Sequence, residues 1–182
     1  PLGVFDDARY ARLAVDSAAE YQAAEPFPHG VYDDFLPTDL AHALSAEFPT
    51  FDAIDWVQRD NENNRRVYQH DETKVPPLAR RMLREFNSRQ FTLFIETLSG
   101  IDNLIPDPYF VGGGYHETAR GGKLGIHADF RINEQLHLHR RINVIVYLNE
   151  GWQPEWGGAL ELWDRAMKTK QREVQPVFNR AV

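Results

Sequence analysis

The chain contains no cysteine. That excludes thiolate metal sites, thiol nucleophiles and a disulfide framework, and it leaves the redox compartment open. Nor is there a block of Lys and Arg: 20 basic residues are outnumbered by 27 acidic ones, for a formal charge of −7. With no basic run to neutralise phosphates, a nucleic-acid partner or an acidic membrane surface is not expected. No apolar run approaches the roughly 18 residues of a membrane span, and the start lacks the apolar stretch of a signal peptide. A cytoplasmic protein is therefore expected. The first residue is Pro1 rather than Met, so a processed or an engineered start is expected. Internal repeats and low-complexity tracts are missing as well.

What is present suits one domain, since a fold of 182 residues buries roughly 70% of the surface its unfolded chain exposes. The first part has helical patterning. Tyr10, Leu13, Ala14, Ala18 and Tyr21 share one face until Pro26 and Pro28 stop the run. Val31 to Leu36 reads as extended. Thr38 is expected to cap a second helix carrying Leu40, Ala43, Leu44 and Phe48. Asp60 to Asn64, with Arg65 and Arg66, reads as a polar loop. Pro76 and Pro77 open a third helix with Leu78, Met82 and Phe86, and Phe91, Phe94, Ile95 and Leu98 form a fourth that Gly100 ends.

From Pro108 the pattern turns to short β-rich runs: Tyr109 to Val111, Lys123 to Phe130, Ile142 to Leu148, Ala159 to Trp163 and Glu173 to Val182. Helices followed by strands define an α+β class, with a mainly helical region 1–107 and a strand-rich core 108–182 in one domain. Gly112 to Gly114 reads as a tight turn, because no further phosphate-loop residues follow it.

The segment Leu124-Gly125-Ile126-His127-Ala128-Asp129-Phe130 carries the chemistry. Residues two apart on a strand share a face, so His127 and Asp129 project side by side, about 6 to 7 Å apart at their Cα atoms. Ile126 and Ala128 are then expected to point into a second layer. One imidazole and one carboxylate can converge on a single ion, and two His with one carboxylate is the facial set of non-haem Fe(II) oxygenases.

In order along the chain come Gly114-Tyr115-His116, Gly121-Gly122-Lys123-Leu124, His127-x-Asp129-Phe130, Leu138-His139-Arg140-Arg141-Ile142-Asn143, Tyr147-Leu148-Asn149, Trp152 and Gly157-Gly158-Ala159-Leu160-Glu161-Leu162-Trp163. This series resembles the Fe(II)/2-oxoglutarate dioxygenases of the prolyl-4-hydroxylase-like superfamily. The resemblance implies a double-stranded β-helix, or jelly roll, behind N-terminal supporting helices. It also implies Fe(II), 2-oxoglutarate as cosubstrate, and room for ascorbate. By it, His127 and Asp129 are the metal ligands and catalytic pair, Tyr147 holds the far carboxylate of 2-oxoglutarate, and Tyr115 lies near its chelating end. The Gly157-Gly158 pair matches the bend before the next core strand. The implied reaction hydroxylates an unactivated C–H bond of a small-molecule or peptidyl substrate, a peptidyl proline, an amino acid or a natural-product scaffold, and releases succinate and CO2.

The superfamily carries a second His ligand and a cosubstrate-pairing Arg or Lys on strands after the Leu-Glu-Leu-Trp block. Here no His follows His139, and Phe178 to Val182 reads as a strand cut partway, so that core strands are expected to be missing and an edge unpaired. Two rival readings follow: a catalytically silent jelly-roll binding module without a complete metal site, and a cupin-like site using His127 with His137 or His139. His116 is near the pair in sequence. Arg140 and Arg141 are open to pairing with acids, substrate or solvent.

Overall fold

The computed structural model describes residues 3–61 and 64–182. Helix α1 (Ala8–Ala23) starts at Asp7, whose carboxylate accepts from the Arg9 amide, and buries Tyr10 and Ala14. Helix α4 (Arg89–Ser99) starts at Ser88, which accepts from the Phe91 amide, and it ends at Gly100 with φ +70. Phe91, Phe94, Ile95 and Leu98 are its buried face. The rings of Phe5, Tyr10, Phe35, Phe91 and Phe94 pack with neighbouring centroids 4.5 to 6.2 Å apart. Each such ring contributes about 1.5–3 kcal/mol by leaving water, which makes this aromatic cluster the base on which the rest is laid. Helix α3 (Pro77–Phe86) begins at Pro77, as the sequence predicts. Helix α2 (Thr38–Ala46) differs by one position: Thr38 is its first helical residue, Pro37 stands at the cap, and no side chain caps it.

The strands are β1 (Val57–Asn61), β2 (Asn64–Gln69), β3 (Tyr115–Glu117), β4 (Lys123–Leu124), β5 (Ile132–Asn133), β6 (Leu138–His139), β7 (Leu160–Trp163) and β8 (Lys170–Val174). All pairs named are antiparallel. The result is a mixed helix-and-strand fold of the α+β kind, in which the described strands form a sheet of four and two sheets of two. β2 is the centre of the larger sheet. It pairs with β1 on one side and with β3 and then β4 on the other, so the segment 115–124 acts as one strand interrupted by the loop 118–122. This sheet joins residues from before and after position 107.

Several expected features are different. The polar loop over Asp60 to Arg66 is instead the β1–β2 hairpin, because neighbours on both sides of β2 supply the ladder that its own polarity does not advertise; Glu62 and Asn63 lie outside the described residues, as do Pro1 and Leu2. Tyr109 to Val111 is a turn. The Asp107 carboxylate accepts from the amides of Tyr109 and Val111 and folds the chain back on itself. Lys123 to Phe130 is a strand only at Lys123 and Leu124, and Ile126, 50% exposed, packs into no second layer; Ala128 is exposed too. No ladder runs along 125–130, so alternation alone leaves it extended and unpaired. Glu173 to Val182 is broken at Pro176, which has no amide to donate.

Beyond that break, 179–182 is bonded on both sides. Ala181 pairs with Tyr32 on one side and bridges to Val146 on the other, and Val182 exchanges bonds with Ile145. The expected unpaired edge is not at these residues. Ile142, Val144, Val146 and Leu148 pack on the helical core, which leaves Asn143, Ile145 and Tyr147 on the opposite face.

Candidate metal centre

His127 Nε2 and Asp129 Oδ1 are 3.3 Å apart, on side chains a little under half exposed. The other ring nitrogen, Nδ1, is 2.8 Å from the Gly125 carbonyl. A carbonyl only accepts, so Nδ1 carries a proton, and Nε2 is the nitrogen that faces the carboxylate, with a lone pair to offer in the neutral ring. Either a proton on Nε2 or a shared cation makes this contact attractive. Two donors about 2.1 Å from one divalent ion, at roughly right angles, are about 3 Å apart. Donor types, tautomer and separation therefore fit a shared divalent metal ion.

The second carboxylate oxygen is held from behind. Arg140 Nη2 is 3.1 Å from Asp129 Oδ2, and Asn143 Nδ2 is 3.4 Å from the same atom. Arg140 is itself braced over the Phe130 ring, 4.5 Å from its centroid. Gly112, with φ +76, makes room there: a Cβ on it would come within 3.1 Å of Phe130. Oδ2 is thus occupied by protein donors while Oδ1 faces outward with Nε2. Such supporting bonds orient metal ligands and fix their tautomers.

The even-numbered face of β2 looks toward this pair. Asp129 acts electrostatically on both Arg66 and His116. His116 Nε2 donates to the Gly113 carbonyl at 3.2 Å, and Nδ1 accepts from Arg66 Nη1 at 3.2 Å. Loss of water around the ring, followed by the Arg66 charge, lowers the His116 pKa. Tyr68 stacks on His116 with centroids 5.9 Å apart, and His70 stacks on Tyr68 at 5.8 Å.

The structure brings His127 and Asp129 together, and puts Tyr147 on the strand face that also carries Asn143. Four residues of extended chain separate Asn143 from Tyr147, about 13 Å at the backbone. Burial pushes the Tyr147 hydroxyl up to about 12, with Arg180 pulling the other way. Tyr115 is not brought to the pair. It points to the opposite side of β3 from His116 and packs on Phe48 at 4.3 Å, and burial raises its pKa, with Glu47 adding to the effect. Its hydroxyl is buried without a hydrogen-bond partner among the described residues. His137 and His139 do not join either: among the described residues no three His, Asp or Glu side chains gather as a metal site. His137, at φ +55, belongs to the turn between β5 and β6. The cupin-like set is therefore not assembled.

Asn143 and Arg66 are the neighbours that sequence reasoning passed over at this site, whereas Arg140, open there to pairing with acids, pairs with Asp129. For Arg66 a signal exists in the run Asn61-Glu62-Asn63-Asn64, turn-forming residues between two short stretches, which suits a hairpin. For Asn143 the signal is register alone, since it shares a face with Tyr147.

A His–carboxylate pair on an extended, unpaired segment that follows β4 defines the class of site. Residues 113–182 match the model of the 2OG-Fe(II) oxygenase superfamily. The match covers this segment alone and supports an oxygenase-type domain there. No curated protein matches the chain. No helix among the described residues is long and apolar enough to cross a membrane.

Proposed function

We propose that the protein is an Fe(II)- and 2-oxoglutarate-dependent dioxygenase that hydroxylates an unactivated C–H bond, with residues 108–182 contributing to a jelly-roll core and 1–107 supporting it. The observation that carries this reading is the His127 Nε2–Asp129 Oδ1 separation of 3.3 Å, with Nδ1 tied to Gly125, inside the segment matching the superfamily. In overall balance, R–H, O2 and 2-oxoglutarate give R–OH, succinate and CO2. Fe(II), when bound, supplies the one-electron and O2 chemistry that side chains lack.

His127 and Asp129 would hold the ion through Nε2 and Oδ1. Gly125 keeps the imidazole in its binding tautomer, while Arg140 and Asn143 keep the carboxylate from turning its other oxygen in. The cosubstrate must be held at both ends, because one defined orientation is what directs O2 chemistry at the substrate. Tyr147 is assigned to the far carboxylate. Its hydroxyl is protonated at any working pH and makes no hydrogen bond to the described residues, so it is free to donate. Tyr115, on the other side of the sheet, has no part in this reading. The bound substrate is an amino acid, a peptidyl residue or a natural-product scaffold.

The test is titration with Fe(II) and 2-oxoglutarate followed by assay of succinate. Succinate is expected from the unaltered protein, and none from His127→Ala or Asp129→Ala, each of which removes one of very few ligands. Variants that keep full metal content and turnover overturn the assignment.

A further inference from the structure

A chain with a net charge of −7 concentrates positive charge beside this pair. A surface cleft of about 290 Å³ is lined by Arg131, His139, Arg140 and Arg141, with no acidic residue in its wall. The hairpin backbone sets its lining residues beside one another. Ile132 pairs with His139 in the β5–β6 hairpin, and the Arg140 amide donates to the Arg131 carbonyl at 2.9 Å, which closes the hairpin base and sets these residues together. Buried Asn133 donates to the Asp107 carboxylate at 3.1 Å and fastens the same hairpin to the turn before β3.

Among the described residues, Arg140 alone of these has an anionic partner, Asp129. Arg131 and Arg141 make no ion pair among the described residues. Asp129 offsets Arg140, and the two remaining guanidinium groups repel each other and cannot lose their charge. One carboxylate would offset only one of them. An anion carrying two or more charges, with oxygens spread to meet several planar donors, matches the set.

We propose that this cleft binds a multiply charged oxyanion, a phosphate ester or a dicarboxylate, on the substrate of the proposed oxygenase. Arg140 touches both the cleft and Asp129, so a substrate anchored there has its body beside His127 and Asp129. This rests on the oxygenase reading and narrows it to anionic substrates. The neighbouring guanidinium groups also draw such a substrate toward the site, an effect that salt weakens.

The experiment is calorimetric titration of the full chain with inorganic phosphate, malonate and acetate at low and at 0.3 M salt. Phosphate or malonate is expected to bind at least tenfold more tightly than acetate, and more weakly at high salt. Phosphate ahead of malonate selects a phosphate ester, and the reverse selects a dicarboxylate. The double variant R131Q/R141Q, checked for unchanged melting temperature and circular dichroism, is expected to lose at least tenfold in that affinity. Equal binding of all three probes, or equal affinity in a folded double variant, overturns the proposal. So does loss of the probe site when Mn(II) and 2-oxoglutarate are both added, since the cleft would then be the cosubstrate's. Mn(II) binding by the same proteins reports on the parent reading separately: its absence, with phosphate binding intact, removes the oxygenase assignment and leaves the anion site standing.

Discussion

Asn179 ties together three stretches of chain through one residue. Its side chain accepts from the Leu36 amide at 2.9 Å and donates to the Leu36 carbonyl at 2.8 Å, and its own amide donates to the Tyr147 carbonyl. Both Asn179 and Leu36 are 1% exposed, so no water replaces those bonds. Asn179→Ala leaves a buried amide and a buried carbonyl unpaired, and puts Ala at φ +58, where Asn is better tolerated. A loss of about 2–4 kcal/mol is expected in urea unfolding. Tyr147→Phe tests a different property. If the hydroxyl donates to the far carboxylate, a charge-assisted bond of roughly 1.5–3 kcal/mol goes, and 2-oxoglutarate affinity falls about ten- to a hundredfold at nearly constant metal affinity. A tyrosine that only packs would lower stability instead, so calorimetry of cosubstrate binding beside a melting curve separates the two.

Two junctions between elements decide where the site's strands lie. At the first, Gly114 lets β3 come against β2: a Cβ there would be 2.0 Å from the Gln69 carbonyl, at φ +85. Gly114→Ala is expected to cost at least about 2 kcal/mol and to raise hydrogen exchange in β2 and β3 ahead of the helices. At the second, Arg180 makes a two-pronged bond to Asp33, at 2.6 and 2.9 Å, between the C-terminal segment and the stretch before α2. The Arg180 bond holds the Asp33 carboxyl below its usual pKa, with burial opposing. The folded pKa is the lower one, so this stabilisation is complete above about pH 4 and disappears as pH falls through the folded value. Because Asp33 is well exposed, water screens the pair and the contribution is about 0.2–1 kcal/mol. Asp33→Asn should flatten the acid limb of the melting temperature against pH and leave neutral stability nearly unaltered.

At the scale of the whole molecule, a metal that binds only the folded chain raises its stability by mass action. At a hundred times the dissociation constant the gain is about 2.7 kcal/mol, a rise of roughly 5–10 °C in melting temperature for a chain of this size. Mn(II) is expected to produce that rise in the unaltered protein and none in His127→Ala, and a chelator is expected to reverse it. An equal rise in the variant would place the ion elsewhere.

Helical stripes were legible in the sequence because each helix satisfies its own backbone and needs only one apolar face: the repeats at Tyr10 and Ala14 and at Phe91, Phe94 and Leu98 are the buried faces of α1 and α4. The His127-x-Asp129 spacing was legible for a similar reason, since two residues on one extended segment stay neighbours whatever surrounds them. Strands depend on partners far away in the chain. The alternation in 142–148 names the residues that reach the core, but only 145–147 find a ladder, through 180–182; the same alternation in 125–130 finds none. Tertiary structure alone decided that the polar stretches 57–61 and 64–69 pair as strands, with 64–69 at the centre of the sheet, that Tyr115 turns away while Asn143 and Arg140 turn toward Asp129, and that Arg131 and Arg141 share one cleft. Pairing between distant segments is set by which surfaces remain to be covered once the helices have packed, and that balance is not written in any short stretch of residues.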